Sequence, residues 1–253
     1  MMWQKYFIAL LAAACAPAAL PAFAAAPITV SWREKAPYYY YEDGVAKGFM
    51  LEKAKQVFAA AGLPVRFASE PQKRIWANFT HGVKNYCSIS WYRLPEREAV
   101  AQYSIAVHTD QPHAVLAVPS AVARVRAHPN VKSLLADKSL TLAVIDGVSY
   151  GPELDPMIAA SENHVMRRTV ETSAMFRMLA AGRADFLFVD REDWGYLRQK
   201  FPELQSLVLT EFTDMPPGLK RYFVCSRDVP AASMERLNRA IASVNARGEA
   251  GRR

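Results

Sequence analysis

Apolar positions recur along the chain with a period of two in some stretches and of three to four in others. The two patterns alternate. Residues 28–31 alternate as a strand does, and Lys35-Ala36-Pro37 breaks the run. Residues 38–41 follow, and Glu42-Asp43-Gly44 signals a turn. Over 50–61, Leu51, Ala54, Val57, Phe58 and Ala61 fall at three- and four-residue spacing, which predicts a helix. Gly62 closes it as a C-cap residue and Pro64 follows. Residues 65–68 read as the next strand, 73–80 as a short helix stopped by Gly82, and 86–91 as a third strand. A β-α-β-α-β order predicts a mainly parallel sheet with helices on its faces.

The order then repeats loosely. Residues 114–118 are strand-like, whereas 120–133 mix apolar and basic residues with no clear period. A strand over 140–145 closes at Asp146-Gly147, and a helix follows from 151 or 152 to 160. Residues 165–170 read as a strand, 173–181 as a helix stopped by Gly182, 186–189 as a buried strand and 192–199 as a helix. Late strands fall at 207–209 and 220–225, and an amphipathic helix at 231–244. Two α/β units of similar size predict two lobes, with a ligand cleft between them.

The first residues stand apart from this pattern. Lys5 is the only charged side chain before Arg33. An apolar run and small residues lead to Ala22-Phe23-Ala24. That is the layout of a cleaved secretory leader over 1–24. Pro17, Pro21 and the abundance of alanine argue against a membrane span. Cys15 has a second reading, as a lipid-bearing cysteine. Export leaves Cys87 and Cys225, both in strand-like runs, as either one disulfide or two buried thiols. Neither has a C-x-x-C neighbour, so no zinc or thioredoxin-type chemistry is indicated.

Composition narrows the picture further. The 253 residues are 51% apolar and 22% charged, enough for a buried core and too little charge for a disordered chain. The net charge of +7 raises the question of nucleic acid. The chain shows no basic stripe with interleaved aromatics, and export would remove such a partner. The stretch holding Arg124, Arg126 and Lys132 reads as a solvated face.

Three stretches carry a resemblance. The first is Ala36-Pro37-Tyr38-Tyr39 with Asp43-Gly44 and Gly48-Phe49 before a helix. The second is Arg97-Glu98-Ala99-Val100-Ala101-Gln102-Tyr103-Ser104 after Leu94-Pro95-Glu96. The third is Gly182-Arg183-Ala184-Asp185, leading through 186–189 to Asp190. In this order and spacing the chain resembles the type 2 periplasmic solute-binding proteins, in the family 3 group that binds polar amino acids for ABC transporters.

The resemblance implies a two-lobed α/β fold with a mostly parallel, helix-flanked sheet in each lobe. Residues 25–118 with 213–253 would form lobe 1 and 119–212 lobe 2, with hinge strands near 117–119 and between Thr210 and Arg221. It implies a periplasmic monomer that passes a small ligand to a membrane permease of an ABC transporter, with no cofactor and no metal. Arg97 would hold the ligand carboxylate with its planar fork. Asp190 would hold the ammonium group at the carboxyl end of a strand.

Each assignment has a plainer counterpart. Arginine after Glu96 suits a surface ion pair, and Asp190 suits a helix N-cap. Ser149, in Gly147-Val148-Ser149-Tyr150-Gly151, either completes a carboxylate site or only caps a helix. Trp32, Tyr38, Tyr40, Trp91 and Tyr92 either wall the cleft or pack in the core. Ser90, next to last on the strand over 86–91, is a further candidate contact. The chain also departs from the family: Trp91-Tyr92-Arg93-Leu94 is bulkier than usual and adds Arg93, and Asn85 stands where an aspartate is usual. Arg93 or Arg74 would then compete for the carboxylate or read a second acidic group.

The leading expectation is a binding protein that closes on a small polar solute, an amino acid or related carboxylate. A sensory receptor without transport is one alternative. An enzyme of the dehydratase type on the same fold is another, with Glu153 and Asp155 as the nearest acids. The five histidines show no metal-ligand or nucleophile-base spacing.

Overall fold

A computed structural model describes residues 26–250, so the expected leader, its expected cleavage after Ala24 and the lipid reading of Cys15 lie outside the described residues. The chain enters through β1 (Ile28–Trp32) and a hairpin of β2 (Tyr40–Glu42) and β3 (Val45–Lys47). It continues through α1 (Phe49–Ala60), β4 (Val65–Ser69), α2 (Gln72–Thr80) and β5 (Tyr86–Trp91). A short α3 (Pro95–Glu98) leads to β6 (Gln102–Thr109). The chain then crosses to a second unit: β7 (Ala114–Ala117), α4 (Val122–Arg126), α5 (Val131–Leu135), β8 (Thr141–Ile145) and α6 (Leu154–Ala159). That unit ends with β9 (His164–Arg168), α7 (Thr172–Ala180), β10 (Phe186–Val189), α8 (Arg191–Lys200) and β11 (Val208–Thr210). The return adds β12 (Lys220–Cys225) and α9 (Ala231–Ala250).

The strands form two five-stranded sheets, ordered β4-β1-β5-β12-β6 and β11-β7-β10-β8-β9. β4, β1 and β5 are parallel, as are β10, β8 and β9. The returning β12 runs antiparallel between β5 and β6. This is the two-lobed α/β architecture with helix-flanked sheets expected above.

The first crossover falls at 110–113, ahead of the expected 117–119, because β7 pairs with β10 and β11. All four residues of β7 are buried, so its pattern does not disclose which sheet it joins. The second crossover occupies 211–219.

Each lobe has its own core. In lobe 1, Leu51, Val57 and Phe58 of α1 and Leu237 and Ile241 of α9 cover one face of the sheet. Ile75 and Phe79 of α2 cover the other, against Tyr86, Trp91 and Val224. In lobe 2, residues such as Leu116, Leu142, Phe176 and Phe186 share one cluster.

Burial on β5 continues through every residue, but the strand does not alternate regularly. Cys87 and Ile89 face the α1 side. Trp91 should join them by parity, yet it lies with Tyr86 on the α2 side. Ser90 has φ 67°, and the register with β12 shifts between Tyr222 and Val224. An extra residue in one strand reverses the facing of everything beyond it. The bulge at Ser90 therefore sets where Trp91 and Tyr92 point.

Cys87 and Cys225 are joined by a disulfide across β5 and β12, within the lobe 1 core. Of the two readings left open by the sequence, the structure holds the bonded one.

Candidate functional site

A cavity of about 380 Å³ opens between the lobes. Its lining comes from the carboxyl ends of parallel strands in both sheets: Arg33 to Lys35 after β1, Tyr92 after β5, Asp146 to Tyr150 after β8, Thr169 to Thr172 after β9, and Asp190 after β10. In open α/β sheets this end is where ligands sit, because helix N-termini and unpaired loop amides face it. A larger groove of about 920 Å³ lies on lobe 1, between Phe49, His108 and Val244. It is a wider, one-lobed surface feature. The interlobe cavity is the one that combines both lobes with ionisable side chains.

The base of the cavity is a charged network that spans the lobes. Arg221 of β12 is 2% exposed. Its Nε donates to Asp110 Oδ1 at 2.7 Å, and its Nη2 to Tyr92 Oη at 2.9 Å and Asp190 Oδ2 at 3.2 Å. Tyr92 Oη donates onward to Asp110 Oδ2 at 2.8 Å. Tyr38 Oη donates to Asp190 Oδ2 at 2.7 Å. The Tyr38 ring has Lys35 Nζ 4.2 Å and the Arg221 guanidinium 4.1 Å from its centre. Lys35 Nζ lies 2.5 Å from Asp193 Oδ1 and 3.8 Å from Asp190 Oδ2. Lys35, Tyr38 and Arg221 belong to lobe 1, while Asp190 and Asp193 belong to lobe 2.

The electrostatics follow from burial and partners. Burial disfavours the Asp190 carboxylate, but Lys35, Arg221 and the Tyr38 hydroxyl together hold it below the usual carboxylate range. Burial lowers Arg221, but Tyr92, Tyr38 and the two carboxylates more than reverse this and keep it charged. Burial lowers His113, on the first crossover, so its imidazole favours the neutral form. Burial pushes the Asp193 carboxyl up to about 6, against Lys35 and in step with Asp190.

An unfolded aspartate titrates at about 3.9. Between roughly pH 4 and 6 the folded protein therefore keeps a proton on Asp193 that the unfolded chain has lost. This contribution to stability is present at the acidic end and is lost as pH rises through about 6. The melting temperature of Asp193→Asn minus that of wild type should increase from about pH 4.5 to about pH 6.5. A flat or falling difference would contradict the assignment.

The sequence-derived candidates divide into two groups. Tyr38, Tyr92 and Asp190 meet in the network, and Ser149 lines the cavity. Asp190 also caps α8, its Oδ1 accepting from the amides of Glu192 and Asp193. Ser149 Oγ donates to Asp155 at 2.6 Å and accepts from the Gly151 amide at 3.1 Å, holding the loop ahead of α6.

The others stand away from the cavity lining. Arg97 lies on α3, its guanidinium 4.7 Å from the Trp76 ring centre and 5.3 Å from that of Trp91. Its Nη1 donates to the Tyr92 carbonyl at 3.3 Å. Trp91 is buried beneath it, donating to Ser88 Oγ at 2.8 Å. Arg93 pairs with Glu98 on the surface and lies over the Tyr103 ring. Ser90 forms the buried bulge, its hydroxyl without a hydrogen-bond partner. Arg74 is exposed, whereas its neighbours Gln72 and Lys73 line the cavity.

Arg221, Asp110, Lys35, Asp193 and Arg33 were not among the sequence candidates. Arg221 had a usable signal. It shares strand parity with Phe223 and Cys225, so a charge falls on the apolar face of β12.

No family model matches this chain, and no curated protein is similar to it in sequence. Solved structures do match its fold. The arginine-, lysine-, histidine-binding protein ArtJ from Geobacillus stearothermophilus is 16% identical, with a TM-score of 0.67 over 88% of this chain and 91% of that one. The GluR0 ligand-binding core with L-glutamate is 17% identical, with a TM-score of 0.69 over 90% and 96%. The ancestral amino-acid-binding protein AncCDT-1, a precursor of cyclohexadienyl dehydratase, is 16% identical, with a TM-score of 0.67 over 88% and 91%. The chain thus has the fold of type 2 periplasmic binding proteins. Among the described residues, no helix is long and apolar enough to cross a membrane.

Proposed function

We propose that this protein is a periplasmic solute-binding protein. Its lobes close on a small carboxylate-bearing solute, an amino acid or a related acid, and deliver it to an ABC-transporter permease. The observation that carries this reading is the interlobe cavity at the carboxyl ends of the strands of both sheets. A ligand held there gains contacts from both lobes only when they close, and that differential binding drives closure. Two crossovers, 110–113 and 211–219, connect the lobes and serve as the hinge. The leader-like start at 1–24 supports export to the periplasm.

Binding rather than catalysis is favoured by the engagement of Asp190 in the cavity and of Asp155 behind Ser149. Asp190 is held as a carboxylate by cations and a hydroxyl, and Asp155 is engaged by Ser149 and the Tyr150 amide. Asp190 thus has no proton to give a leaving group, and Asp155 is committed to the loop ahead of α6.

Isothermal titration of the natively purified protein against amino acids, dipeptides and dicarboxylates tests the reading. One-to-one binding with a Kd of about 10 μM or below is expected for at least one solute. Turnover of that solute, seen by mass spectrometry, would replace the reading with the enzymatic one.

A further inference from the structure

An α-amino acid needs a free acceptor for its ammonium group, and Asp190 has none to offer. A carboxylate has about four lone-pair directions. Asp190 Oδ1 accepts from the Glu192 amide at 2.9 Å and the Asp193 amide at 3.3 Å. Its Oδ2 accepts from Tyr38 Oη at 2.7 Å and Arg221 Nη2 at 3.2 Å, with Lys35 Nζ 3.8 Å away. The acceptor set is full, and the two cations beside it, Lys35 and Arg221, are shared with Asp193 and Asp110. Asp193 is taken by Lys35, and Asp110 by Arg221 and Tyr92. The remaining acids of the lining, Glu34, Asp146 and Glu171, are exposed at its rim, where water competes for any ammonium.

The donors show the opposite imbalance. Arg33 lines the cavity, and its buried Nε has no hydrogen-bond partner. Its Nη1 donates to Gln72 Oε1 at 2.7 Å, which holds the guanidinium at the first residue of α2, and the next residue, Lys73, also lines the cavity. A buried donor without an acceptor is costly unless a ligand supplies one. Across the cavity, the half-buried Ile145 and Val170 present an apolar wall, backed by Met175 and Phe176 in the core.

We infer that the cleft selects an organic carboxylate that lacks an α-ammonium group, its acid on Arg33 and Lys73 and its apolar body against Ile145 and Val170. This rests on the solute-binding reading above and sharpens it.

The test is calorimetric titration with matched pairs, 3-phenylpropanoate against L-phenylalanine and 4-methylpentanoate against L-leucine. Wild type and Arg33→Gln are compared, with melting temperatures confirming that the variant folds. The acid without the amino group should bind at least about tenfold more tightly than its partner, and Arg33→Gln should weaken it about tenfold or more. Tighter binding of the amino acids, or an unaltered affinity in Arg33→Gln, would overturn the inference and leave the solute-binding reading standing. If neither pair binds while a dipeptide does, the inference falls alone. If no solute of any class binds, both fall.

Discussion

Replacing Arg221 with methionine is expected to lower the unfolding free energy at pH 7 by about 3–5 kcal/mol, the usual cost of removing one partner from a buried charge network. Arg221 is enclosed, and it is the cation held jointly by Asp110 and Asp190. Methionine keeps most of the volume, so little of the loss should come from a cavity. It comes from two carboxylates left in a poorly solvated site, with Tyr92 losing its donor. Arg221→Lys should fall between the two, because an ammonium is a point charge and cannot span both acids as the guanidinium fork does. The pH response has a definite sign. Orphaned buried carboxylates titrate at a raised pKa, so the methionine variant should recover relative to wild type as pH falls from 7 towards 4. Urea unfolding at several pH values measures all three outcomes. A loss under about 1 kcal/mol would show that the network contributes little to the fold.

The second large effect lies in the lobe 1 core. Converting both Cys87 and Cys225 to alanine, or reducing the bond, should cost about 2–5 kcal/mol. The linked cysteines are 138 residues apart in sequence, and the intervening chain includes the whole second lobe. The bond fastens the returning β12 to β5 beside it, and so joins the two separate stretches of chain that make up lobe 1. Both sulfurs are buried, so reduction requires partial opening and should be slow under native conditions. Denaturant unfolding with and without reductant, alongside thiol titration, tests this. An unchanged midpoint with the thiols demonstrably free would contradict it.

Local pattern disclosed much of the fold. The three- and four-residue spacing from Leu51 to Ala61 is α1, with Leu51, Ala54, Val57 and Phe58 buried as the spacing requires. The region over 120–133 lacked a period because it folds as two five-residue helices, α4 and α5, too short to repeat a face. Strand β6 went unread: only two of its eight residues, Ser104 and Val107, are buried, and they are three apart.

The site was less legible, and for a different reason. Arg221 and Asp110 are 111 residues apart and meet only because β12 returns between β5 and β6. Lys35 and Asp193 are 158 apart and meet only across the cleft. No local window carries such pairings. Arg97 shows a further limit. Its motif is present, but Trp76 and Trp91 form an aromatic shelf that holds the guanidinium. The Ser90 bulge that brings Trp91 to that face is a backbone event with no residue signature of its own.

The proposed function requires that a small solute bind between the lobes. Thr172 lines the cavity at the first residue of α7, and tryptophan there would fill much of a space of about 380 Å³. The most direct measurement is calorimetric titration of the tightest-binding carboxylate into wild type, Thr172→Trp and a remote surface control, Lys55→Trp on α1. One-to-one binding is expected in wild type and control, with a loss of about a hundredfold or more in Thr172→Trp at an unchanged melting temperature. Equal affinity in all three proteins would place the solute outside the interlobe cavity and rule out binding there.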